Sequence, residues 1–229
     1  IALAEDGTVY VADYGNHRVQ VFDSDGVYLD EWGSSGTGDG QFAYPSGIAI
    51  DASGNVYVSD RNNNRIQVFD SAGLFIAKWG GFGGSGDGSF SFPEGIAIDT
   101  NGDVYVANYG GNYVLKLDSS GTTLDIIGSS GTDTTSDGQF NGPSGVAVAS
   151  DGVIFVTDSS NNRVQKFNAG GTFVTKWGTY GAGHGQFYAP FTIAADPGGN
   201  IYVTDTFNHR VQKFAANLKL NTARYGGEE

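Results

Sequence analysis

Eighteen residues, written five times, constrain this chain more than anything else in it. VYVADYGNHRVQVFDSDG (9–26) returns as VYVSDRNNNRIQVFDSAG (56–73), VYVANYGGNYVLKLDSSG (104–121), IFVTDSSNNRVQKFNAGG (154–171) and IYVTDTFNHRVQKFAANL (201–218), without a gap. The units open at Ile1, Ile48, Ile96, Val146 and Ile193, a period that belongs to stacked repeat architectures. In the second unit GIAID, NVYVSD, RIQVFD and FIAKWG alternate apolar and polar residues between Gly, Asn and Asp turns, as half-buried strands do. No stretch keeps a 3.6-residue apolar period. Four short antiparallel strands per unit predict the blade of an all-β propeller.

The blades are expected at about 1–33, 47–80, 95–128, 145–178 and 192–226 of one domain. Gly7, Gly54, Gly102, Gly152 and Gly199 fall between the first and second strands, where a tight hairpin takes positive φ. Trp32, Trp79 and Trp177, with Ile127 and Tyr225 in the same slot, close the fourth strands as packing residues between blades. After each of the first four blades a glycine-rich connector ends in Phe and then Pro45, Pro93, Pro143 or Pro190. The Phe is expected to tuck between blades and the Pro to start the next inner strand.

D-x-x-N-x-R followed by V-Q-x-F, a G-x-G-x-G-Q-F connector and P-x-G-I-A-I-D together resemble the NHL repeat family, over essentially the whole chain. The resemblance implies a β-propeller, most often of six blades. It implies a platform for ligand, protein or RNA, a sensor domain outside a bacterial membrane, or, in one branch, a metal-dependent lyase. The fold follows from it; the function does not.

Asp13, Asn16 and Arg18 recur at 60, 63 and 65, at 158, 161 and 163, and at 205, 208 and 210. A set copied this often reads as structural, an Arg paired to an Asp in each blade. His17 and His209 occupy equivalent, consensus slots, and His184 is the third histidine, too few for a metal site of the lyase kind. No G-x-S-x-G elbow or Walker-type loop appears. No cofactor is expected; calcium is the alternative, through Asp39, Asp87, Asp133 and Asp137 in the connectors, although no loop has the spacing of a calcium motif.

Composition narrows the partners. Net charge is -13, and the repeated motif takes four of the twelve Lys and Arg, leaving eight against twenty-five Asp and Glu. That surface repels nucleic acid. Cysteine is absent, which removes disulfides and thiol chemistry. There is no apolar run long enough to span a bilayer. Low sulfur and acidity suit an extracellular or periplasmic protein, and the absence of Met reads as a segment of a longer chain.

Residues that vary between blades are the ones free to serve a partner. The tips between second and third strands carry Tyr14, Arg61, Asn62, Tyr109, Ser159 and Phe207, a composition suited to recognition. Ser46, Glu94, Ser144 and Phe191, each after a Pro, are expected to ring the channel mouth. Blade 3 departs most, with Asn108, Gly111 and Tyr113 in place of Asp, Asn and Arg. The reading is a non-enzymatic binding module for a protein or a small-molecule or glycan ligand. The alternatives are a metal-assisted lyase or hydrolase at the channel mouth and a structural repeat of a surface assembly. Five blades are expected, with the first and last in direct contact; the alternative is part of a six-bladed ring.

Overall fold

The computed structural model describes residues 1–81, 89–131 and 136–215. Blade 1 consists of Ala2–Leu3, Val9–Asp13, Arg18–Phe22 and Tyr28–Trp32, and blade 2 of Pro45–Ile50, Val56–Asp60, Arg65–Phe69 and Phe75–Gly80. Blade 3 is Pro93–Ile98, Val104–Asn108, Tyr113–Leu117 and Thr123–Ile127; blade 4 is Pro143–Val148, Ile154–Asp158, Arg163–Phe167 and Phe173–Trp177. Blade 5 has Pro190–Ala195, Ile201–Asp205 and Arg210–Phe214, and the rest of its expected span, from 216, lies outside the described residues. Each blade is an antiparallel meander in chain order, so the fold is the five-bladed propeller read from the repeat. Among the described residues no helix is long and apolar enough to cross a membrane.

The period-2 pattern turns alternate residues of each second strand toward opposite neighbours. Val56 and Val58 of blade 2 pack with Tyr10, Val19 and Phe42 on the side of blade 1. Tyr57, Ile66 and Trp79 of the same blade pack with Val104, Val106 and Leu117 of blade 3. The arrangement repeats between blades 3 and 4 and between blades 4 and 5. Connector residues Phe42, Phe140 and Phe187 are fully buried and Phe90 nearly so, as expected. Burying a side chain of this size contributes about 1.5–3 kcal/mol.

Glycine controls how closely the inner strands approach. A Cβ at Gly95 would lie 2.8 Å from the Ser144 carbonyl oxygen, and one at Gly145 would lie 2.6 Å from that of Phe191. Gly47 meets the Glu94 carbonyl in the same way. Blade 5 has Thr192 in this register, exposed, with Oγ1 2.9 Å from Thr204 Oγ1. No apolar cluster among the described residues joins blade 5 to blade 1. Leu3 and Val211 remain largely exposed. Among the described residues the expected contact between first and last blades is not seen, and blade 5 carries Thr192 where the three preceding inner strands carry the close-approach glycine.

Candidate functional site

The repeated polar motif clamps the connector arriving from the blade before. Asp60 accepts from the Ala43 amide (2.7 Å) and from Arg65 Nε (2.7 Å). Arg65 then donates to the carbonyls of Thr37 (2.9 Å), Gly38 (2.7 Å) and Gln41 (2.8 Å). Gln67 accepts from the Gly40 amide and donates to the Gln41 carbonyl. Blade 5 repeats this with Asp205, Arg210 and Gln212, and blade 4 uses Asp158, Arg163 and Gln165. The Asp–Arg pair is buried in blades 2 and 4, whereas Arg210 and, in blade 1, both Arg18 and Asp13 are partly exposed.

A second clamp explains His17. His17, Asn64, Asn112 and Asn162 end the tip turns in the left-handed region, and each accepts from the amide of the residue before the next blade's Pro. His17 Nδ1 takes the Tyr44 amide at 3.0 Å. It is a structural acceptor, and no group of three or more His, Cys, Asp and Glu among the described residues could hold a metal. Asp39 and Asp137 pair with Lys78 (2.6 Å) and Lys176 (2.7 Å), while Asp87 and Asp133 lie outside the described residues.

The residues before Pro matter for another reason. Tyr44, Phe92, Gly142 and Ala189 all have φ between 48° and 63°, a conformation easy for Gly142 and costly for a ring-bearing residue. Tyr44 and Phe92 nevertheless sit there, 38% and 42% exposed. Tyr44 packs on Tyr14 (5.0 Å) and His17 (4.5 Å). Arg61 lies over Phe92 (5.0 Å) and Tyr109 (5.8 Å), and Tyr188 packs on Phe207 (4.8 Å). Tip turns and connectors thus share one face lined with rings. The sequence pointed to the tips but missed Tyr44, Phe92 and Tyr188; for Tyr44 and Phe92 the signal was large residues in a slot that Gly and Ala also fill.

Three other expected contact residues are placed differently. Glu94 is buried and paired to Arg61 Nε, with Asn62 Oδ1 accepting from Arg61 Nη1 at 2.9 Å. Burial raises the Glu94 pKa despite Arg61 beside it, and its Oε2 has no partner among the described residues. Ser159 is buried and hydrogen-bonds the Pro190 carbonyl and Ser144. Glu94 and Ser144 therefore seal blade contacts rather than ring a channel mouth. Phe191 stays exposed. It lines a depression of about 450 Å³ with Tyr109, Ser159, Ser160, Ala189, Thr206 and Phe207. Among these lining residues Tyr109 is the one titratable group.

Relatives agree on the fold and divide on function. The Drosophila melanogaster protein Brain tumor is 36% identical over 50 residues, 22% of this chain and 5% of that protein. A streptogramin B lyase superposes with a TM-score of 0.65 at 15% identity, over 93% of this chain and 66% of that one. A chain of a nidogen/laminin complex gives 0.70 at 19%, over 94% and 74%. At such identities the likeness to solved structures shows the fold alone. Residues 1–22, 42–69, 90–117, 140–167 and 187–214 match the NHL repeat, and the chain belongs to the NHL repeat family.

Proposed function

We propose that this chain is a non-enzymatic recognition module whose contact surface is the ring-lined loop face. The observation that carries the reading is Tyr44 and Phe92, aromatic residues held in a left-handed backbone with their rings turned to solvent. Packing alone does not call for a large ring there, since Gly142 and Ala189 fill the same slot. Strained backbone that presents a side chain is the pattern of a binding surface. Tyr14, Tyr188 and Phe207 extend the surface, which includes the depression beside Tyr109. Ring faces suit a glycan or a peptide lying across them. The net charge of -13 disfavours a polyanion. The same acidity suits a protein working outside the cytoplasm.

The second reading is a lyase or hydrolase, favoured by the likeness in fold to the streptogramin B lyase. Glycan and peptide arrays probed with the purified chain, with and without a chelator, separate the two. Saturable binding unaffected by chelator, with the ligand recovered intact, is the expected result. Chelator-sensitive turnover of a bound compound would overturn it.

A further inference from the structure

The loop face departs from its own repeat where blade 2 meets blade 3. The first tip residue of one blade and the residue after the next blade's Pro are Tyr14 and Ser46, Tyr109 and Ser144, and Ser159 and Phe191 at the other three contacts. Here they are Arg61 and Glu94, an ion pair at positions that uncharged residues fill elsewhere. Burying such a pair adds little stability over an uncharged contact.

Arg61 uses the buried carboxylate only in part. Its Nε donates to Glu94 Oε1, while Nη1 turns to Asn62 Oδ1 at 2.9 Å. Glu94 Oε2 and Ser59 Oγ, both buried, have no hydrogen-bond partner among the described residues. In blade 4 the hydroxyl equivalent to Ser59, Thr157 Oγ1, accepts from the Gly145 amide (2.7 Å) and donates to the Phe191 carbonyl (2.8 Å). A carboxylate receives a guanidinium best through two parallel bonds, one on each oxygen. Two rings lie beside the same cation: the Arg61 guanidinium is 5.0 Å from the Phe92 ring centre and 5.8 Å from that of Tyr109. Phe92 holds a φ of 48° in that position. Arg61 opens the tip turn Arg61–Asn63 and is partly exposed, so its side chain can swing to solvent without moving a strand.

We infer that Glu94, Phe92 and Tyr109 form the seat for an arginine side chain of a peptide lying on the loop face, and that Arg61 holds this seat until the peptide's guanidinium replaces it. One cation takes the place of another, so Glu94 keeps its counter-charge throughout. Tyr109 also lines the depression with Phe191 and Phe207, where an apolar neighbour of that arginine can lie. The net charge of -13 favours a basic peptide over an acidic one. The inference rests on the loop face being the contact surface.

The probe is the acetylated, amidated peptide Gly-Leu-Arg-Leu-Gly, titrated into the isotopically labelled chain by NMR beside the same peptide with Gln in place of Arg. Saturable shifts at Arg61, Phe92, Glu94 and Tyr109 are expected, with affinity at least about tenfold lower for the Gln peptide and in Glu94→Gln. Arg61→Ala should tighten binding by about threefold or more, because it removes an internal competitor. An Arg61 that served structure alone would weaken binding when lost. The comparison of peptides keeps the test valid if a protein variant does not fold. Equal binding of the two peptides, no saturation by the Arg peptide, or weaker binding in Arg61→Ala would overturn the inference. If a glycan or an uncharged peptide still binds the loop face, that failure leaves the contact surface standing; silence of every array would remove both.

Discussion

Arg65 satisfies three connector carbonyls and a buried Asp at once, so its loss reaches beyond one ion pair. Arg65→Ala should destabilise by about 3 kcal/mol, because Asp60 keeps its bonds from Ala43 and Asn63 but loses its counter-charge. Arg18→Ala, at the partly exposed equivalent, should cost clearly less than Arg65→Ala. Denaturant midpoints of the two variants check the contrast. Glu94 supplies a pH test. Burial raises its pKa in the folded chain, so the fold holds that proton more tightly than the unfolded chain does. Stability from this group is full below the carboxylate range and is lost as pH rises through the folded titration. Glu94→Gln should therefore gain on the native protein as pH rises above the ordinary carboxylate range in denaturation profiles; an opposite trend would show that the Arg61 pairing dominates. At this scale the structural residues were legible because they repeat. Glu94 was not, since nothing in its sequence neighbourhood says that Arg61 from the preceding blade covers it.

A single inner-strand glycine sets the distance between neighbouring blades. Gly145→Ala places a methyl group against the Phe191 backbone, which cannot rotate away, and should cost about 3 kcal/mol. Thr192→Gly, in the same register of blade 5, should change stability by less than about 1 kcal/mol because that face is exposed. Thermal melts of both variants test whether the glycine serves close approach rather than turn geometry. Strands and hairpin glycines were readable from period-2 alternation and turn residues. The connectors were readable only in part. Their Phe and Pro announced burial, but their purpose as the segments that the D-x-x-N-x-R motif grips required the hydrogen bonds. Blade 3's departure follows from this: Tyr113 grips Ser89 in place of the Arg–Gln arrangement.

Among the described residues the five blades form a series of four apolar interfaces, one blade's aromatic side, closed by Trp or by Ile127, against β-branched residues of the next. Blade count was legible in the repeat; contact between the end blades was not, because alternation marks both faces of every blade as apolar without saying which pairs meet. On this scaffold, function rests with residues that the repeat leaves free. The most direct measurement uses Tyr14→Ser, Tyr44→Ser, Phe92→Ser and Phe207→Ser combined in one chain, compared with the native chain on the same glycan and peptide arrays and by thermal melting. A melting temperature within about 4 °C of native together with loss of every saturable array signal is the predicted result. Retained binding, or a collapse in melting temperature showing the rings to be core, would contradict the account.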